Sequence, residues 1–314
     1  MTDGPSILFN KPLIKESLQH LPAAVDHPDT KDFANYLERH LHFNSANTRR
    51  RFATYIAGRF SVGGKINPDL ATALQRFAGS RAATEILYFE LCAAVPVLRE
   101  AASLWLSEQP NSGCSRASLV AFLGTRVDSG GRRLETVSRS IIEALKGCKK
   151  INAAKQAVYV PIWTEPALEA FLYVLARLYP ERAMVRVDHL AAQPAIRAML
   201  WPRPSLVTLL DEAHRSGHIS RISELDQYHQ FTLAEAGSIR MARLVGATQA
   251  AEGRTAYEPS TNGAGRPSAQ EIVPTRPAIE PLVLQAQVTR KQPVRRRSAK
   301  TTTKGSPRRR SRPG

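Results

Sequence analysis

Cysteine is scarce in this sequence, and its placement excludes several kinds of scaffold. The three cysteines, Cys92, Cys114 and Cys148, are odd in number, lie far apart and form no CxxC pair. A disulfide framework or a thiolate zinc site needs paired or closely spaced cysteines. We therefore expect a protein of the reducing cytoplasm. The lack of a charged, apolar and small-residue leader before the first helix favours the same compartment.

The sequence also lacks an uninterrupted apolar segment of membrane-spanning length. Its most apolar long stretch, residues 86–106, contains Glu90, Arg99 and Glu100, and charges in the middle of a simple membrane span are costly. The stretch instead predicts a buried helix that bends at Pro96, because proline has no N–H to continue the helix. No membrane partner is expected.

Motifs of catalysis and metal binding are missing as well. Neither GxSxG nor HExxH occurs. The Gly-Gly-Lys run at 63–65 does not make a phosphate loop, because Arg59 and Ile66 stand where glycine and serine or threonine are needed. His214 and His218 have a helical ligand spacing, but a glycine predicts a helix end between them and no third ligand is evident. We expect no enzymatic activity, no cofactor and no metal.

Positive charge is what the sequence has in excess. The formal net charge is +17 over 314 residues, which favours an acidic polymer as partner, with nucleic acid ahead of an anionic membrane surface. The excess is concentrated at the end: residues 251–314 carry 14 Lys or Arg against 4 Asp or Glu, with eight of the 21 prolines and one aromatic residue. Such a composition cannot bury enough apolar surface to fold, so we predict a disordered tail.

The end of this tail is almost purely basic. Residues 290–314 contain eleven basic residues and no acid. Such a run is typical of a nonspecific nucleic-acid arm, and it adds three candidate binding residues, Arg295, Arg296 and Arg297. The alternative is a solubility tail or a low-complexity extension without function.

Residues 1–110 have helical periodicity and predict an N-terminal helical bundle. Thr30, Asn67 with Pro68, and Ser80 predict three of its helix starts. Another helix, at residues 45–60, begins with an unusual charge pattern, because three consecutive arginines follow its capping residues: Arg49, Arg50 and Arg51. Cations at a helix N-terminus cost a few tenths of a kcal/mol each at an exposed surface. We predict that they serve a phosphate bound there, or otherwise pair with buried acids such as Glu85 or Glu90.

Residues 111–250 predict winged-helix-like units with short β-hairpins. Helices at 115–127 and 132–148, joined by a glycine turn, precede β-prone stretches around residue 151 and at 157–162, the order of support helix, recognition helix and wing. A similar run follows at 203–233, where Gly217 closes a helix before another hairpin. Asp211 and Glu212 on that helix are unfavourable beside phosphate, so we expect this second unit to be structural or protein-binding.

The exposed residues of the first unit predict a nucleic-acid interface. If the apolar stripe of its second helix faces the core, a mixed but net basic face remains outside. Thr136, Ser138 and Arg139 are the candidates for contact with base edges. Phosphate contacts are expected from the other basic residues of the helix and wing: Arg132, Arg133, Lys146, Lys149, Lys150 and Lys155. The alternative is a solvated helix face beside a charged hairpin.

Residues 44–60, followed by residues 66–77 and the long apolar helix, resemble the N-terminal part of the BrxA proteins of BREX bacteriophage-exclusion systems. That family pattern has Asn and Ser ahead of a Thr-basic-basic helix start and an Arg-hydrophobic pair further on. The residues that fit it are Asn44, Ser45, Thr48, Arg49, Arg50, Arg59 and Phe60. The leucine-rich helix at 204–219 also resembles the closing helix of the family.

This resemblance implies a mainly helical, cytoplasmic protein that binds double-stranded DNA and has no enzyme activity of its own. It would work beside the methyltransferase, ATPase and phosphatase-like members of a phage-defence island. The long basic tail departs from the family pattern. Two alternatives stay open: an RNA-binding, antitermination-like helical protein, and an assembly scaffold of the defence complex.

Overall fold

Helices make up most of the residues that the structure describes, and the sheets are small and antiparallel, as the sequence predicts. This computed structural model describes residues 9–109, 113–126, 131–153, 158–225 and 228–246. The predicted tail at 251–314, with Arg295, Arg296 and Arg297, lies outside the described residues. So does Lys155 of the predicted wing.

The N-terminal part is a set of short helices around one small hairpin. Its helices are α1 (Ile14–His20), α2 (Thr30–His40), α3 (Ala46–Arg59), α4 (Pro68–Arg76), α5 (Arg81–Ala94) and α6 (Pro96–Glu100). The hairpin that connects α3 with α4 consists of β1 (Ser61–Val62) and β2 (Lys65–Ile66). A 3₁₀ turn follows α1 at Leu21–Val25, and α6 continues into a π-helical turn, Ala101–Trp105, and a 3₁₀ turn, Leu106–Glu108.

Most of the predicted helix starts and the predicted helix break are confirmed. Asn67 caps α4 by accepting hydrogen bonds from the backbone N–H groups of residues 69 and 70, and Ser80 caps α5 through the N–H of residue 83. The cap of α2 is Asp29 rather than Thr30, which is the first helical residue. Pro96 separates α5 from α6.

A strand, two helices and a hairpin follow. They are β3 (Cys114–Ser115), α7 (Arg116–Gly124), α8 (Gly131–Gly147), β4 (Ile151–Ala153) and β5 (Val158–Pro161). The sheet order is β3-β5-β4, so the strand before the helices pairs with the second strand of the hairpin. The predicted apolar stripe of α8 is confirmed, since all of its members are buried: Leu134, Val137, Ile141, Ile142 and Leu145.

A similar order of elements occurs a second time, with three helices rather than two between the first strand and the hairpin. Helix α9 (Leu168–Leu178) leads into β6 (Met184–Arg186), α10 (Val187–Ala192), α11 (Pro194–Ala198), α12 (Arg203–Arg215), β7 (Ile219–Leu225) and β8 (Tyr228–Leu233), and α13 (Gly237–Val245) follows. The sheet order is β6-β8-β7, which repeats the arrangement of the first sheet. Gly217 adopts a φ of 77° in the turn after α12, a left-handed conformation that favours glycine.

Buried hydrogen bonds join the N-terminal helices to the later elements. The hydroxyl of Tyr88 in α5 donates to the carbonyl oxygen of Ala198, at 3.1 Å, and Glu85 Oε2 accepts from the N–H of Ala167, at 3.0 Å. The helices before and after residue 110 share one hydrophobic core, and the described residues between 9 and 246 form one compact unit. Within these described residues, the packing is continuous on both sides of the predicted boundary near residue 110.

The second buried acid of α5 is also paired with later elements. Glu90 Oε1 accepts hydrogen bonds from the hydroxyl of Tyr173 and from Nε of Arg177, both at 2.8 Å, and Glu90 Oε2 accepts from the side chain of Asn67. A buried carboxylate is tolerated when such partners replace its water. The partners of both buried acids are therefore residues other than the three consecutive arginines.

Candidate nucleic-acid interface

A surface pocket of about 350 Å³ lies between α3 and α8, and we call it the α3–α8 pocket. Helix α3 contributes Arg51 and Tyr55 to its lining, and α8 contributes Thr136 and Arg139. Lys11, from the segment before α1, lines it as well. The fold thus brings one of the three consecutive arginines together with two of the residues predicted on α8.

The charge in this pocket is mainly positive. Arg51 and Arg139 are exposed, and neither has an ion pair or hydrogen bond within the described residues. The guanidinium carbon of Arg51 lies 5.2 Å from the centre of the Phe52 ring, a cation–π contact that leaves its N–H groups available. Lys11 Nζ lies 3.9 Å from Glu143 Oε1, across the pocket lining. Three cations against one carboxylate make a site suited to an anion.

The three arginines of α3 have three different environments. Arg49 is half-buried, and its guanidinium donates to the carbonyl oxygens of Glu38, at 3.1 Å, and Phe43, at 2.7 Å. Arg49 therefore satisfies one carbonyl in the last turn of α2 and one in the loop between α2 and α3, and these bonds occupy its N–H groups. Arg50 pairs with the Glu38 carboxylate at 3.4 Å but keeps a largely exposed side chain, so this pair contributes little to stability. Of the three, Arg51 has no such partner within the described residues.

The position of these arginines along α3 reduces their electrostatic cost. Helix α3 begins at Ala46, after Ser45 as N-cap, and the Ser45 side chain makes no capping hydrogen bond. Arg49, Arg50 and Arg51 are thus the fourth to sixth residues of the helix. The field of the helix dipole falls off within the first turn, so the unfavourable charge at that end is smaller than the sequence suggests.

Helix α8 presents a basic exposed face next to this pocket. Its members, which we call the α8 face, are exposed: Arg132, Arg133, Thr136, Arg139 and Lys146. The hydroxyl of Thr136 donates to the carbonyl oxygen of Arg132, at 3.1 Å, and can still accept a hydrogen bond. Lys146 Nζ lies 5.1 Å from the centre of the Tyr159 ring on β5, so the stem of this lysine covers the hairpin. Lys149 is exposed just beyond the helix.

Two residues predicted on this face are buried, and for them the prediction of an exposed position is wrong. Ser138 is fully buried and donates to the carbonyl oxygen of Glu135, because its helix position falls within the buried stripe. Lys150 is 1% exposed, and its Nζ donates to the carbonyl oxygen of Met199, at 2.7 Å. Lys149 before it has a φ of 56°, and the chain reverses there. Burial lowers the pKa of Lys150, and the nearby Glu85 opposes this shift.

Lys11 is a member of the pocket that sequence reasoning missed. Its segment is fixed by Arg59 of α3, whose guanidinium donates to the carbonyl oxygens of Asn10, Lys11 and Pro12 at 2.8 to 3.3 Å. Arg59 also lies over the Phe9 ring, and burial lowers its pKa to about 10. Arg59 therefore holds the segment that carries Lys11 beside α8. An arginine this far along the chain gives no local signal of that contact.

The second unit presents a different surface. Asp211 and Glu212 are exposed on α12, in agreement with the acidic character that the sequence assigns to this helix. His214 Nδ1 contacts the carbonyl oxygen of Ile219, at 2.8 Å, across the turn that Gly217 makes. In the part of the chain that the structure describes, no group of three or more His, Cys, Asp or Glu could hold a metal ion.

The comparisons with known proteins concern the fold. No family model matches the chain, and no curated protein matches it. Two solved structures are similar: an SspB crystal structure, with a TM-score of 0.54, and a magnesium ion-bound SspB crystal structure, with a TM-score of 0.52. Each is 11% identical and covers 79% of this chain and 88% of that chain. At this identity the likeness shows a common fold and nothing about shared chemistry.

Among the described residues, no helix has both the length and the apolarity that a membrane span requires. The buried helix predicted at residues 86–106 is instead divided into α5, α6 and the turns that follow them. Its charged residue Glu90 is satisfied inside the fold by the contacts described above.

Proposed function

We propose that this protein is a non-enzymatic, cytoplasmic component of a BREX-type phage-defence system that binds duplex DNA. The observation that carries the DNA-binding part is the α3–α8 pocket, where Arg51 and Arg139 come from distant parts of the sequence and have no acidic partner within the described residues. Uncompensated cations on two adjacent helices match the phosphate backbone of a duplex. The BREX assignment and the other defence proteins as partners rest on the resemblance of residues 44–60 to BrxA.

The arrangement of the first unit supports a winged-helix mode of binding. A strand, two helices and a hairpin, with β5 between β3 and β4, is the order found in winged helices. In this proposal α8 enters the major groove as recognition helix and β4–β5 is the wing. Lys11, Arg51 and Arg139 contact phosphates, and Thr136 lies closest to base edges. Ser138 and Lys150 have no part in it because they are buried.

Gel-shift titration of a duplex tests the proposal. The double variant Arg51→Gln/Arg139→Gln removes two phosphate contacts, so we expect at least tenfold weaker binding and a salt slope that is lower by about 2, at roughly 0.9 per contact. The matched control, Arg76→Gln/Arg215→Gln, removes the same charge from exposed arginines outside the pocket. Equal affinity of the two double variants would overturn the proposal.

The same titration separates the alternative functions. RNA and single strands of equal length should bind more weakly than the duplex, because in this proposal α8 enters a B-form major groove, which A-form RNA and single strands do not offer. Preferential binding of RNA would support an RNA-binding protein. Absence of binding to any nucleic acid at moderate salt would support an assembly scaffold.

A further inference from the structure

A second cavity, of about 440 Å³, opens between the end of β5 and helices α10 to α12. We call it the tryptophan pocket and define it by six of its lining residues: Trp163, Trp201, Ile196, Leu206, Arg197 and Arg203. It shares no lining residue with the α3–α8 pocket. A cavity of this size fits one small ligand and is much too small for a duplex.

The two indoles of this pocket differ in exposure. Trp201 is 4% exposed and is held by an edge contact with Phe171, at 6.1 Å between ring centres. Trp163 is 45% exposed. The N–H of Thr164 donates to the carbonyl oxygen of Leu200, which fixes the segment of Trp163 against the segment of Trp201. The pocket therefore has one rigid aromatic wall and one indole that a planar ligand can cover.

The charges that line the tryptophan pocket leave one cation uncompensated. Arg197 donates to Ser107 Oγ, at 3.2 Å, and to Glu108 Oε1, at 2.9 Å. Asp188 is engaged by the guanidinium of Arg186 through both of its carboxylate oxygens. Arg203, at the start of α12, is exposed and has no ion pair or hydrogen bond within the described residues. The tryptophan pocket therefore presents to a ligand the exposed indole of Trp163 and the unpaired guanidinium of Arg203.

We propose that the tryptophan pocket binds one nucleotide, with the base stacked on Trp163 and the phosphate on Arg203. An apolar peptide side chain would contact Ile196 and Leu206 but would leave the guanidinium of Arg203 without a partner. A nucleotide would contact the aromatic and apolar lining through its base and the guanidinium through its phosphate. Base stacking on aromatic residues with arginine at the phosphate is a general mode of binding for unpaired nucleotides. The ligand is a free mononucleotide or an unpaired nucleotide within a strand, which share this chemistry.

Tryptophan fluorescence of the full-length protein gives the first test. Trp105 and Trp201 are buried, so a ligand in the pocket acts mainly on the exposed Trp163. We expect adenosine monophosphate to quench the emission and to reach saturation. Adenosine should bind several-fold more weakly, because it lacks the phosphate for Arg203. A linear, unsaturated response to both adenosine monophosphate and a short single-stranded oligodeoxynucleotide would overturn the proposal.

Variants give the second test, with anisotropy of a ribose-labelled fluorescent adenosine monophosphate as the readout. Trp163→Ala should weaken binding about tenfold or more, whereas Trp163→Phe keeps a stacking surface and should retain most of the affinity. Arg203→Gln should also weaken binding about tenfold. Arg215→Gln removes the same charge from the other end of α12 and should leave binding unchanged. Arg203 is exposed, so this variant tests the site even where the tryptophan variants fold poorly. Unchanged binding in Trp163→Ala or Arg203→Gln would overturn the proposal.

The source of the nucleotide follows from a comparison of ligands. Binding of a single strand at least tenfold tighter than the mononucleotide, and dependent on Trp163, would identify an unpaired nucleotide of a strand. Equal affinities would identify a free nucleotide. Duplex binding through Arg51 and Arg139 should be unaffected by Trp163→Ala. Failure of this proposal is therefore distinguishable from failure of the proposed function.

Discussion

Lys150 Nζ donates a hydrogen bond of 2.7 Å to the carbonyl oxygen of Met199, which ties the segment between α8 and β4 to the loop between α11 and α12. The ammonium also lies 5.3 Å from the centre of the Tyr88 ring on α5. A lysine that belongs to a basic sequence run thus joins three parts of the core. Its role is structural, since it is 1% exposed.

Replacement of Lys150 by alanine should destabilise the protein. The change leaves the carbonyl of Met199 without its donor and removes one of two cations near Glu85, the other being Arg81 at 3.8 Å. Loss of the partner of a buried group costs about 2 to 4 kcal/mol. Chemical denaturation should show this loss in the free energy of unfolding. The control is Lys149→Ala at the exposed neighbouring residue, which should change it by at most about 0.5 kcal/mol. Equal stability of both variants would contradict the assigned role.

Replacement of Arg59 should affect both stability and DNA binding. Arg59→Gln removes a guanidinium that serves three backbone carbonyls, and the expected loss is about 2 kcal/mol in the free energy of unfolding. Duplex affinity should fall as well, because the segment with Lys11 is released from the α3–α8 pocket. Arg59→Lys keeps the charge but reaches fewer carbonyls, so its free energy of unfolding should lie between those of the unaltered protein and Arg59→Gln.

Limited proteolysis supplies the readout that separates these effects. In Arg59→Gln, cleavage near residues 9–13, the segment before α1, should become faster, while the helices stay protected. The control Arg76→Gln should leave the cleavage pattern as it is, because Arg76 is exposed and has no partner within the described residues. Protection of residues 9–13 in the Arg59 variant would show that other contacts hold the segment.

Elements whose residues carry their own periodicity are the ones that the sequence predicts. The apolar stripe of α8 and the hairpin after it depend on local patterns, and the structure confirms them. Strands β3 and β6 have two and three residues, too few for alternation to be recognised, and they form only because β5 and β8 lie beside them. Long-range pairing of this kind leaves no local signal.

The same distinction applies to the candidate site. Arg51 and Arg139 could be named from charge and helix position, but their presence in one pocket depends on where the tertiary fold places α3 and α8. Lys11 could not be named, because a hydrogen bond to a residue far along the chain sets its position. Lys150 could not be excluded, because its charge looks the same in the sequence whether it faces water or Met199.

Acid should destabilise the fold through His218. This residue is 9% exposed, and Nδ1 has no hydrogen-bond partner within the described residues. Burial lowers its pKa below the ordinary value of 6.5; Arg243 and Arg240 act in the same direction, and Glu235 opposes them. In the window between the lowered pKa and 6.5 the unfolded chain binds more protons, so stability falls as the pH is lowered through it.

We therefore expect the melting temperature to fall between pH 7.5 and pH 5, and His218→Gln should reduce this fall. The pKa of His20 is also lowered mainly by burial. The melting temperature of His20→Gln/His218→Gln should therefore change less with pH than that of His218→Gln alone. His189→Gln, at an exposed residue, is the control. Differential scanning calorimetry across this pH range makes the measurement. If the melting temperature of the double variant falls as much as that of the unaltered protein, carboxylates rather than these imidazoles cause the pH dependence.

Removal of residues 251–314 should lower duplex affinity and flatten its salt dependence. The last 25 residues carry eleven cations and no acid, and each phosphate contact steepens the slope of log affinity against log salt by roughly 0.9. With about half of the cations engaged, the truncated protein should lose about four to five units of slope. The α3–α8 pocket lies outside the deleted segment, so any sequence preference should survive.

Thermal melting is the control for this truncation. The tail composition offers little apolar surface to bury, so the melting temperature should stay nearly the same. An unchanged slope would show that the tail makes no contact with DNA and would favour its role as a solubility tail.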